Sequence, residues 1–95
     1  MKLITLDGTQ MTTIQYAHEE LARALHLPSY YGRNLDALWN FLSTTQEELD
    51  ITLIHPIKML NALDAYGASM LRVFFDASSE NPRISFMLRD EAESA

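Results

Sequence analysis

Residues 50–55 read DITLIH, and Pro56 follows them directly. The continuous apolar character of this run fits a strand covered on both faces, as strands inside parallel sheets are. Pro56 ends the strand and suits a first helical position, where a missing N–H costs nothing. Beyond it, IKMLNAL at 57–63 makes a short helix and Gly67 punctuates. ASMLRVFFDAS at 68–78 then carries Met70, Leu71, Val73, Phe74 and Ala77 at helical spacing. Asn81-Pro82 closes that helix, RISFML at 83–88 reads as a last strand, and residues from about 90 to 95 form a charged tail expected to fray.

On the other side of the central run, polar TTQEEL at 44–49 leads back to SYYGRNLDALWNFL at 29–42, which reads as a loop delivering the chain to a helix. Before it, Thr12 with Gln15 forms a capping-box pattern, and Ile14, Ala17, Leu21, Ala24 and Leu25 follow as one buried stripe until Pro28 stops the helix. KLITL at 2–6 is a first strand and Asp7-Gly8 its turn. The order is β-αα-β-αα-β. Each strand pair is bridged by a long helical crossover, so the expected α/β fold is a three-stranded parallel sheet with four helices and right-handed connections. At 95 residues the chain is expected to form one domain, 1–95, because two cores would each be too small.

Composition narrows the function. The chain is 47% hydrophobic and 21% charged, which argues against disorder. Thirteen acidic against seven basic residues give a net charge of −6, with the basic ones scattered from Lys2 to Arg89. Direct nucleic-acid binding needs a clustered positive footprint and is not expected; an acidic surface suits a basic protein partner instead. The absence of cysteine excludes disulfides, thiolate catalysis and cysteine-ligated zinc. The N-terminus turns polar too early for a signal peptide, and no apolar run is long enough to span a bilayer, so the expected location is the cytoplasm.

Catalytic constellations do not assemble. His18, His26 and His55 are the imidazoles; none share an i, i+4 metal spacing, and no glycine-rich phosphate loop exists. Glu19 and Glu20 adjoin His18 in sequence but point elsewhere on a helix. His26 and His55 lie near element ends, where a capping or solvent-exposed role is expected. Glu47, Glu48 and Asp50 read as a solvated connection, not a calcium loop. No enzyme activity, cofactor or metal is expected, and Arg33, Arg72 and Arg83 define no anion site.

The loop and helix at 29–42 are the exception. Asn34 is a favoured N-cap, Gly32 sits just outside it where a positive φ is expected, and Asp36 falls in the first turn, where the helix dipole favours an acid. Leu35, Leu38 and Leu42 cluster as the buried stripe. Asp36, Asn40 and Ser43 lie opposite, with Trp39 on the border. Of Tyr30 and Tyr31, one is expected in the core and one in the loop as an anchor. An acid, an amide and a tryptophan on an outer face beside a tyrosine loop have the composition of a contact surface.

YYGRNLDALWNFL closely resembles the YYGxNLDALWD segment of the barstar family, intracellular protein inhibitors of bacterial ribonucleases. ALHLP before the motif and MLRVFFDA after it extend the resemblance over nearly the whole chain. It implies a barstar-like three-stranded parallel sheet packed on helices, and an inhibitor that plugs a ribonuclease active site with acids standing in for RNA phosphates. The family's contact tyrosine falls on Tyr30, its capping asparagine on Asn34, its first inhibitory aspartate on Asp36 and its helix tryptophan on Trp39, while a distal glutamate corresponds to Asp76. Two positions depart: the family's central aspartate is Asn40 here, and its exposed glutamate after the glycine is Arg33. STTQEEL also lacks the family's glycine and second tryptophan.

The expected partner is therefore a basic nuclease, barnase-like or a related toxin, met through Tyr30, Asn34, Asp36, Trp39, Asn40, Ser43 and Asp76, by a protein monomeric when free. Asn40 removes a charge and Arg33 adds one, so the cognate nuclease is expected to differ from barnase. The alternatives are immunity to a non-ribonuclease toxin, or an interaction module that kept the fold and lost inhibition.

Overall fold

A computed structural model describes residues 1–90. Strand β1 spans Lys2–Asp7 and passes through a single 3-10 turn, Gly8–Gln10, into helix α1, Ile14–Leu25. Helix α2 is Leu35–Thr44, strand β2 Leu49–Ile54, helix α3 Pro56–Leu63, helix α4 Ala65–Glu80 and strand β3 Ile84–Arg89. The three strands lie in the order β1-β2-β3, all parallel, with Ile4, Ile51 and Phe86 in one row and Leu6, Leu53 and Leu88 two rows further on. The α/β, barstar-like arrangement expected from the sequence is the one observed; the tail from 91 onward lies outside the described residues.

One expectation about the central strand fails. β2 alternates buried Leu49, Ile51 and Leu53 with half-buried Asp50, Thr52 and Ile54, so it is fully covered on one face only. The reason is topological. Strands that follow one another across the sheet in a constant direction, through crossovers of one hand, carry every helix to the same side. On the bare side Leu3 is 77% and Met87 54% exposed.

Between sheet and helices lies one contiguous cluster. It joins Ile4, Leu6, Ile51, Leu53 and Ile84 to Leu21 and Leu25 of α1, Leu38 and Leu42 of α2, Met59 of α3 and Met70 and Phe74 of α4. Phe74 stacks on Phe86 with ring centroids 4.6 Å apart. Burying each such side chain contributes about 1.5–3 kcal/mol before chain entropy is subtracted.

Several boundaries shift for local reasons. Thr13, not Thr12, caps α1, its hydroxyl accepting from the Tyr16 N–H at 3.0 Å, which leaves the expected Thr12–Gln15 box unformed and Ile14 exposed. α1 ends at His26, which takes a left-handed conformation (φ 55°), before Pro28 is reached. α3 and α4 are divided at Asp64 (φ 52°), not at Gly67. Gly67 lies within α4 and faces α3, where an added Cβ would stand 2.7 Å from the Met59 sulfur.

Two polar side chains tie elements across the core. The buried Glu20 carboxylate accepts from the Asp7 N–H at 3.0 Å and from Arg23 at 2.8 and 3.0 Å, locking α1 to the end of β1. Buried Asn81, after α4, donates to the carbonyls of Leu42 (2.9 Å) and Thr45 (3.2 Å) and accepts from the Arg83 N–H (3.0 Å). That residue fixes the C-terminal end of α2.

Candidate functional site

α2 is held at both ends, which makes its outer face a defined surface. At the N-terminal end, the Asn34 side chain accepts from the Ala37 N–H at 2.8 Å and donates to the Gly32 carbonyl at 3.3 Å. The positive φ expected at Gly32 belongs to Arg33 instead (φ 53°). At Gly32 an added Cβ would lie 3.3 Å from that of Ala37, a tight contact. Arg33 folds back onto α1, pairing with Glu19 at 3.0 Å and donating to the Tyr31 carbonyl at 3.1 Å. Arg33 is thereby paired with a carboxylate.

The two tyrosines divide as expected. Tyr30 is 87% exposed and Tyr31 is buried. The Tyr31 hydroxyl lies 2.8 Å from Nδ1 of His18, and Nε2 of the same fully buried ring lies 2.8 Å from the Tyr66 hydroxyl on α4. This clamp joins the loop, α1 and α4. Burial, with Arg33 nearby, pushes the His18 pKa below its ordinary value, and burial raises both tyrosines. At neutral pH the ring is therefore neutral, donating one N–H and accepting at its other nitrogen, between two protonated phenols.

The outer ridge of α2 separates two shallow grooves. One, of about 360 Å³ against α4, brings Asp36, Trp39 and Asp76 together with Arg72 and Ser69, over half-buried Leu35 and Val73. Leu35 thus lines the groove and is not sealed in the core as Leu38 and Leu42 are. The other, against the loop, collects Tyr30, Asn40, Phe41 and Thr44 and holds no charged side chain. Ser43 lines neither; it is half-buried, its hydroxyl donating to the Asn40 carbonyl at 3.5 Å.

Sequence reasoning missed the His18 clamp, because its partners stand 13 and 48 positions away and no local pattern marks them. Arg72 had a signal: it lies one helical turn before Asp76 and so shares its stripe. His26 and His55 sit at helix ends as left-handed residues. Among the described residues no three His, Asp or Glu side chains group as a metal site. No helix there is long and apolar enough to cross a membrane.

Comparison with known proteins is consistent with this geometry. The family described as "Barstar (barnase inhibitor)" matches residues 1–91. A Bacillus subtilis (strain 168) protein named "Putative ribonuclease inhibitor YrdF" is 38% identical over 82 residues, which is 84% of this chain and 89% of that protein.

Proposed function

The chain belongs to the barstar family, and from that premise we propose that it inhibits a bacterial ribonuclease by covering the active site, with acidic side chains in place of substrate phosphates. One observation carries the reading. Tyr30, Asp36, Trp39 and Asn40 are exposed on a helix and loop that Asn34, Asn81 and the His18 clamp hold fixed, with Asp76 across the groove. A preorganised surface loses little entropy on binding. Asp36 is the main anion mimic, Tyr30 and Trp39 are packing anchors, Asn34, Asn40 and Ser43 polar contacts, and Asp76 a flanking charge. The protein acts in the cytoplasm as an antitoxin or immunity factor, free as a monomer and with no catalytic role of its own.

The test is a titration of the protein into a barnase-type ribonuclease assay. Inhibition is expected to saturate at one protein per enzyme, and Asp36→Ala to weaken it by about 2 kcal/mol, the scale of a lost charged hydrogen bond. Association should slow as salt screens the opposed charges. Undiminished inhibition by Asp36→Ala, or a salt-independent rate, would count against the mechanism. Asn40 favours one variation on this reading: a target whose pocket differs from that of barnase, which inhibition of another nuclease in preference to barnase would reveal.

A further inference from the structure

The groove between α2 and α4 mixes signs of charge. Asp36 stands on one wall, and Arg72 and Asp76 stand one turn apart on the other, all three exposed. Arg23 and Arg33 are each held by a carboxylate, at 2.8 and 3.0 Å. Among the described residues Arg72 comes within ion-pair distance of none, although Asp36 and Asp76 line the same groove. A guanidinium keeps its charge at any physiological pH. A cleft that is cationic throughout would therefore meet one like charge on this surface, and like-charge juxtaposition is how an interface rejects a wrong partner.

Complementarity here asks for both signs of charge. Resting on the reading that this groove meets a nuclease, we propose that the partner places a carboxylate opposite Arg72, beside basic side chains opposite Asp36 and Asp76. Arg72 is then a specificity-determining residue. Its planar fork suits a carboxylate that accepts two parallel hydrogen bonds, and Leu35, Trp39 and Val73 give the groove apolar walls. The same residue disfavours nucleases whose cleft is uniformly basic.

A catalytically inactivated barnase-type ribonuclease, displayed with its cleft rim randomised, tests this by selection against the intact protein and its Arg72→Glu variant. Asp or Glu should be enriched at one rim position by the wild type, and Lys or Arg at that same position by Arg72→Glu. Identical enrichment by both would overturn the proposal. With the unselected nuclease, Arg72→Gln should speed association roughly two- to fivefold at low salt, the gain shrinking as salt rises; an unchanged or slower rate would also overturn it. Asp36→Ala separates the two failures. If Asp36→Ala weakens binding while Arg72→Gln changes nothing, the inhibitor reading stands and the mixed-charge partner falls; if the selection enriches no nuclease variant on either protein, both fall.

Discussion

His18 sets a pH dependence of stability. Its pKa is depressed in the folded state, by burial first and Arg33 second, from an ordinary 6.5. Just below pH 6.5 the unfolded chain therefore binds more protons than the folded one. The stabilising contribution is complete above pH 6.5 and is lost as pH falls from there through the folded value. Denaturant midpoints measured from pH 8 to 5 should decline below 6.5, and His18→Gln, which can still donate and accept, should flatten that decline; parallel curves would remove His18 as the cause. Asn40 gives a second prediction at this scale. It faces a groove without charge, so Asn40→Asp should restore charge-assisted bonding and tighten binding to barnase by about 1–2 kcal/mol. If the wild type bound barnase as tightly as the variant, Asn40 would not be retuning specificity. Single residues were legible where local chemistry decides them, as with the Asn34 cap and exposed Tyr30. His18 was not, since burial and two distant hydroxyls decide it.

Among elements, α2 is the one whose placement the binding surface depends on. Removing its cap by Asn34→Ala should cost about 1 kcal/mol in a denaturant titration. A larger loss belongs to the junction at the C-terminal end of the sheet. An added Cβ at Gly8 would collide with the His55 carbonyl oxygen and lie 2.9 Å from its carbonyl carbon, both backbone atoms that cannot swing aside. Gly8→Ala should therefore cost about 3 kcal/mol, at the upper end for overpacking; a variant as stable as wild type would mean that the β1 and β2 ends part without cost. Element types were legible because hydrophobic period and proline positions are local signals. The boundaries at Thr13, His26 and Asp64 were less so. A cap or a left-handed residue is chosen among near-equivalent neighbours by how the adjoining helix or loop packs on the rest of the molecule.

For the molecule as a whole, the one-sided sheet predicts an asymmetry in tolerance. Ile51→Ala, beneath the helices, should cost about 2–5 kcal/mol, while Leu3→Lys on the bare face should stay within about 0.5 kcal/mol of wild type. Comparable losses at both sites would mean that the outer face is not open in solution. The sequence by itself determined the order β-αα-β-αα-β, the parallel sheet, the apolar faces of the helices and the acidic balance, because periodicity, turn chemistry and charge are properties of neighbouring residues. Tertiary structure alone decided which face of β2 is bare, that Arg33 turns back to Glu19, and that Arg72 joins Asp36 and Asp76 in one groove. These depend on the hand of the crossovers and on contacts between residues far apart in the chain, which no local pattern encodes.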